Sequence, residues 1–216
     1  MARRADRLER LASELADAHP LPVDLTDPDA PGRVHERAAA EEGLHLLVNN
    51  AGASWQAPFE EGGYENVRRT MDVNFDAVVR LTEALLPLLR ASAPSAVVNV
   101  ASVAGRVGRP KVGAYTASKF ALAGWTESLQ LEEAPKGVHV GLVLPGFVAT
   151  EGFPQRQLTR SRRTRWMVSK PERVADAIVA AGPGGKPERY VPRPYRLVPV
   201  LRAVAPGLVR RATGAR

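Results

Sequence analysis

The chain has 216 residues, 44% of them hydrophobic and 25% charged, which is enough for one domain with its own core. It has no cysteine, so disulfides and thiolate metal sites are excluded, and its four histidines (19, 35, 45 and 139) show no metal-ligand spacing. The net charge of +7 is divided unevenly, with 15 Lys/Arg against 3 Asp/Glu in residues 156–216 and 15 against 20 before them. No apolar run reaches the roughly 18 residues of a membrane span and no signal peptide is visible, which fits a cytoplasmic protein.

Taken in chain order, the pattern predicts a helix over 4–17, a short strand near Leu21-Pro-Val-Asp24 and a helix over 28–42. His45-Leu-Leu-Val-Asn-Asn-Ala-Gly52 is an apolar run ending in small and polar residues, the mark of a buried strand entering a tight loop. A helix over 63–90 follows, with Val78, Leu81, Leu85 and Leu89 at helical spacing. The run Ala96-Val-Val-Asn-Val-Ala101 is a second buried strand and delivers Ser102 at its end. A helix over 113–134 places Leu122, Trp125 and Leu129 on one face. Val138-His-Val-Gly-Leu-Val-Leu144 is a third strand, ending in Pro145-Gly146, and a last helix covers 171–181. This alternation argues an open parallel α/β sheet, in which ligands bind beyond the carboxyl ends of the strands. Asn50, Gly52, Ser102, Pro145 and Gly146 all fall at such ends.

Tyr115 and Lys119 carry the most chemical information. Residues four apart on a helix share a face, so the phenol and the ammonium are placed to tune each other. A free tyrosine titrates near 10, and bringing it to roughly 7 needs about 4 kcal/mol of preference for the phenolate. A lysine charge in a partly dry cleft supplies such a preference and makes the phenol an acid or base near neutral pH. Singly, the other candidates have plainer readings: Ser102 as a turn serine, Asn74 at a helix break, Gly52 and Gly146 in tight turns, Thr150 as a helix N-cap.

As an ordered set, Asn49-Asn50-Ala51-Gly52, Asn74, Ser102, Tyr115, Lys119 and Pro145-Gly146 resemble the short-chain dehydrogenase/reductase family in its single-domain branch, over residues 1 to about 195. The resemblance implies a Rossmann-like, doubly wound parallel sheet with a basic tail over 196–216. It implies an NAD(P)-dependent oxidoreductase that interconverts a carbonyl and an alcohol. Tyr115 would be the general acid or base, Ser102 a donor to the substrate oxygen, and Lys119 a ligand of the nicotinamide ribose that also lowers the tyrosine pKa. Asn74 would hold a water linking Lys119 to solvent. Asn50, Ala51 and Gly52 would border the adenosine, and Pro145, Gly146 and Thr150 the carboxamide. The helices over 63–90 and 113–134 would form a homodimer or homotetramer contact, although their apolar faces could equally cover the sheet.

The chain departs from the family at its front. The family opens on a strand and a Thr-Gly-x-x-x-Gly-x-Gly turn whose amides meet the pyrophosphate. No such turn occurs in these residues. Roughly 35 to 40 residues of the pattern are missing, judged from the size of a strand–helix–strand unit. The expectation is an N-terminally truncated sheet, from a start assigned at an internal Met or a fragment, with a truncated non-catalytic scaffold as the alternative. Without the missing strand, the strands near 21–24 and 44–49 lose a common neighbour.

Arg3 falls where the family places a basic residue against the 2′-phosphate of NADP, so NADP is preferred to NAD. Asp24 resembles the acidic residue beside the adenine; its plainer reading is a loop cap. The cluster Arg160-Ser-Arg-Arg-Thr-Arg165 lies in what resembles the substrate loop, where Phe153 and Trp166 would line an apolar pocket. The tail mixes Leu197, Leu201, Val204 and Leu208 with Arg196, Arg202, Arg210 and Arg211, and Pro199 and Pro206 keep any helix short. It is expected to dock on its own domain or a sister subunit rather than on an anionic membrane surface. Nothing beyond charge favours nucleic acid.

Overall fold

In a computed structural model, which describes residues 1–150, 155–162 and 164–214, the chain forms a parallel sheet with helices on both faces. In order come α1 (Ala5–Ser13), α2 (Ala30–Ala39), β1 (Leu46–Asn49), α3 (Phe59–Met71), a π-helical turn (Asp72–Asp76), α4 (Ala77–Ala91) and β2 (Ser95–Val100). α5 (Gly113–Glu133), β3 (Val138–Pro145), β4 (Phe147–Val148), α6 (Arg156–Arg160) and β5 (Val168–Ser169) follow. α7 (Pro171–Ala181), β6 (Glu188–Val191), α8 (Leu197–Val204) and α9 (Pro206–Ala212) complete the chain.

The four-stranded sheet runs β1-β2-β3-β6, all parallel, in register from Leu46 opposite Ala96 to Pro145 opposite Val191. β2 is buried along its whole length, as a central parallel strand must be. Side chains alternate between faces. On one face Val97, Val138 and Val140 pack with Leu81, Leu85, Leu89 and Leu129 from α4 and α5. On the other, Val98, Val100 and Val143 meet Ala177 and Ala181 of α7. The apolar faces of α4 and α5 are therefore spent on the sheet.

The layers are also joined by polar groups. Asn49 donates to Asn99 (2.9 Å) and Thr82 (3.1 Å), and Asn99 donates to Thr126 (2.9 Å). All four side chains are buried, and the chain of bonds crosses from α4 through β1 and β2 to α5. At the far ends of the two helices, buried Glu133 accepts from Arg90 at 2.7 and 2.8 Å and from Lys136 at 2.8 Å.

The structure differs from the sequence reading in three places. The helix expected over 63–90 is broken, with α3 leaving the helical path at Gly63 (φ 51°) and a π turn separating it from α4. The strand near 21–24 reduces to one parallel bridge, Ala2 with Pro22, and among the described residues no strand pairs with the outer edge of β1. β6 was not expected, because Glu188-Arg-Tyr-Val191 lacks an apolar run; charged side chains of this kind protect an edge strand. The tail touches its own domain only lightly: α8 and α9 bury no residue, and Arg202 reaches the Arg106 carbonyl (3.0 Å) and the Phe120 ring. No helix among the described residues is long and apolar enough to cross a membrane.

Candidate active site at the strand ends

Three elements converge beyond the carboxyl ends of β2 and β3. β2 ends one residue before Ala101-Ser102, and the Ser102 hydroxyl accepts from the Ala104 amide (3.1 Å), capping a 3₁₀ turn over Val103–Gly105. The same hydroxyl donates to the Pro145 carbonyl at the end of β3 (3.2 Å). Gly105 lets this turn lie directly on α5, since a Cβ there would come within 2.5 Å of the Lys119 carbonyl oxygen. The serine is thereby fixed against the helix that carries Tyr115 and Lys119.

Tyr115 sits in the first turn of α5, near enough to the Ser102 hydroxyl for that group to bear on its pKa. Lys119, one turn on, is only 4% exposed, donates to the Val100 carbonyl (2.8 Å) and holds its Nζ 5.9 Å from the Tyr115 ring centroid. Burial depresses the Lys119 pKa to about 8. Burial also raises the Tyr115 pKa from its ordinary value, opposed by the neighbouring Ser102 hydroxyl and by the charge of Arg109. The expected acidification of the phenol by Lys119 is therefore corrected. The ammonium is engaged by a backbone carbonyl, and burial of the phenol outweighs the favourable partners.

Asn74 lies buried in the π turn. Its side chain accepts from the Ala53 amide (2.8 Å) and donates to the Ala53 carbonyl (2.9 Å) and to Ser118 (3.0 Å). It thus pins the loop after β1 to α5. Asn50, Ala51 and Gly52 are exposed in that loop.

Gly146, after β3, leaves no space for a side chain: a Cβ would come within 2.1 Å of the Tyr195 ring. Tyr195 is buried, with its hydroxyl donating to the Met167 carbonyl (3.2 Å) and its pKa pushed up to about 12 by burial. The chain then pairs Phe147 with Val168 and Val148 with Ser169, which leaves Thr150 exposed. Arg109 stacks over Phe147, its carbon Cζ 4.9 Å from the ring centroid, and its charge acts on both Tyr115 and Tyr195. Sequence reasoning missed Arg109 and Tyr195. Both act through contacts 38 to 49 residues away in sequence, and neither belongs to a local pattern.

Arg3 and Asp24 form a second group, 3.7 Å apart beside the Ala2–Pro22 bridge. Asp24 also accepts from the amide (3.1 Å) and hydroxyl (2.8 Å) of Thr26, which keep its pKa below the ordinary carboxylate value with help from Arg3. That is the loop-cap arrangement. Trp166 is half exposed, its ring 5.9 Å from that of Tyr195; Phe153 and Arg163 lie outside the described residues.

The sequence matches the family model described as short chain dehydrogenase over residues 1–160. The chain belongs to the short-chain dehydrogenase family. It is 34% identical over 160 residues to 3-ketodihydrosphingosine reductase of Bacteroides thetaiotaomicron, covering 74% of this chain and 57% of that protein. It is 37% identical over 153 residues to NADPH-dependent 1-acyldihydroxyacetone phosphate reductase of Schizosaccharomyces pombe, covering 69% of this chain and 50% of that protein. The chain thus spans about half the length of these curated relatives. Its fold superimposes on a short chain dehydrogenase from Burkholderia cenocepacia J2315 in complex with NADP, with a TM-score of 0.78 and 27% identity over 99% of this chain and 84% of that one.

In this member of the short-chain dehydrogenase family the loop after β1 leaves room beside Lys119. A Cβ on Gly52 would lie 3.1 Å from Asn74 Oδ1 and 3.6 Å from Lys119 Nζ, so the absence of a side chain keeps the approach to the buried lysine open. Lys119 spends one proton on Val100 and keeps two more donors. These residues fit the nicotinamide ribose. The glycine-rich turn that would meet the pyrophosphate is not among the 216 residues.

Proposed function

We propose that the protein is an NADP(H)-dependent oxidoreductase that interconverts a carbonyl and an alcohol. The observation that carries this reading is the convergence of Ser102, Tyr115 and Lys119 where β2 and β3 end. Burial favours the protonated phenol, the form needed to give a proton to a carbonyl oxygen. Ser102 holds that oxygen as negative charge grows on it. The bound dinucleotide supplies the hydride. Lys119 holds its ribose, and Asn74 holds a water that links Lys119 to solvent. Asn50, Ala51 and Gly52 border the adenosine side, and Pro145, Gly146 and Thr150 the carboxamide.

NADP is favoured over NAD by Arg3, whose guanidinium lies at the exposed end of the Arg3–Asp24 pair and is suited to a 2′-phosphate. The cofactor named for the fission-yeast relative and bound in the Burkholderia structure points the same way.

The test is turnover. Purified protein oxidises NADPH when offered a panel of ketones and aldehydes, and Tyr115→Phe lowers the rate by about 10²- to 10⁴-fold. Unchanged turnover in that variant overturns the assignment. Fluorescence titration of the 216-residue chain with NADPH separates this reading from a non-catalytic scaffold, because binding near micromolar excludes the scaffold.

A further inference from the structure

The two C-terminal helices invert the usual relation between an amphipathic helix and its domain. In α8 the apolar residues Leu197, Val200, Leu201 and Val204 fall at i, i+3, i+4 and i+7, which is one stripe of a helix. In a folded domain that stripe faces the core. Here it faces outward, with exposures from 49% at Leu201 to 74% at Val204, and Leu208 of α9 extends it at 66%. The side of α8 turned to the domain carries half-buried Val198 and Pro199 together with Arg202. Arg202 donates to the Arg106 carbonyl (3.0 Å) and lies over the Phe120 ring at 4.9 Å.

The charge around this stripe has one sign. Residues 189–214 contain six arginines and no acidic residue. Arg189, Arg193 and Arg196 line a cavity of about 310 Å³ with Tyr190 and Glu188, immediately before α8. Glu188 is the acidic residue of this lining and is paired with Arg106 (3.4 Å). Arg189 Nε is buried there without a hydrogen-bond partner. A buried guanidinium donor left unsatisfied is costly, and a ligand oxygen would relieve it.

We infer that α8 and α9 form a surface that docks on an anionic lipid bilayer, with the apolar stripe in the interface and headgroup phosphates at the Arg189–Arg193–Arg196 cavity. A second copy of this chain is the weaker occupant. An isologous contact would set the same six arginines against themselves, with Glu188, already paired with Arg106, as the carboxylate of the cavity lining. An anionic leaflet complements both the charge and the stripe. The surface adjoins the catalytic cleft: Tyr195, two residues before Leu197, packs against Gly146, and half-exposed Trp166 leans on Tyr195. Trp is suited to such a boundary because it is apolar with one polar edge. A substrate held in the bilayer would thus meet the site from the membrane side.

The experiment is flotation of the purified chain with phosphatidylglycerol–phosphatidylcholine vesicles and with phosphatidylcholine vesicles alone. It needs no cofactor, so its outcome is independent of the oxidoreductase reading. The chain floats with the anionic vesicles only, and added salt releases it. Val204→Asp with Leu208→Asp lowers the bound fraction at least about tenfold. Arg193→Gln with Arg196→Gln does so to a similar extent, since each basic residue near an anionic surface is worth about fivefold. All four side chains are exposed, so circular dichroism and the melting curve stay as in the wild type. The proposal is overturned if the wild-type chain ignores anionic vesicles. It is also overturned if the aspartate pair floats like the wild type, or if light scattering finds a dimer that this pair dissociates.

Discussion

Lys119 pays an electrostatic penalty that the fold tolerates for the sake of the site. Its pKa falls from 10.5 to about 8, which corresponds to about 3 kcal/mol against the charged form. Between pH 8 and 10.5 the unfolded chain binds more protons than the folded one, so stability rises with pH across that window, and below pH 8 the penalty is fully present. The bond to Val100 recovers about 1 kcal/mol. Lys119→Met should therefore raise stability at pH 7 by about 2 kcal/mol in urea unfolding, and should lose that gain above pH 10. The same variant should have no measurable turnover. A variant that is both less stable at pH 7 and still active would show that the lysine is a packing residue. Arg109 gives a second residue-scale expectation. Its charge lowers the Tyr115 pKa, so Arg109→Ala should move the alkaline limb of a pH–rate profile upward.

The elements are joined by two buried polar devices whose strengths can be measured separately. In the Thr82–Asn49–Asn99–Thr126 chain, Thr126→Val leaves an Asn99 amide proton unpaired where no water reaches, at a cost of about 1–3 kcal/mol. At the helix ends, Arg90 and Lys136 hold the Glu133 carboxyl at a pKa of about 2, well below its ordinary 4.5. Its contribution is present above pH 4.5 and is lost as the pH falls towards 2, so Glu133→Gln should flatten acid unfolding over that interval. Neither device was legible beforehand. Asn49 read only as part of the Asn-Asn-Ala-Gly motif, and Glu133 carries no local signature, since its partner Arg90 lies 43 residues away. What was legible had a local signature. β2 and β3 are uninterrupted apolar runs, α5 carries Tyr115 and Lys119 one turn apart, and Ser102 follows a strand end. What was not legible depends on partners distant in sequence, as with Arg109 over Phe147, Tyr195 under Gly146, and β6, which is a strand only because β3 offers it an edge. The direction of the Tyr115 shift belongs with these, because spacing fixes which groups are near but not how dry they are.

At the scale of the whole molecule, the boundary between domain and tail falls at a definite side chain. Tyr195 fills the space that Gly146 leaves, and its hydroxyl reaches Met167. Among the described residues beyond Leu197 none is buried, and Arg202 ties α8 to the body of the domain through the Arg106 carbonyl and the Phe120 ring. Burial of apolar area governs stability, so the two sides of this boundary should respond differently to truncation. A chain ending at Arg196 should unfold within about 1 kcal/mol of the full chain, as expected for the loss of exposed groups. A chain ending at Arg193 also loses Tyr195, opens a cavity against Gly146 and Trp166, and should cost about 3–5 kcal/mol. Urea unfolding of the three lengths measures both values. Equal losses for the two truncations would place the boundary elsewhere. A large loss at Arg196 alone would mean that α8 and α9 hold the domain together, in which case their outward apolar stripe would have to be covered in the native state.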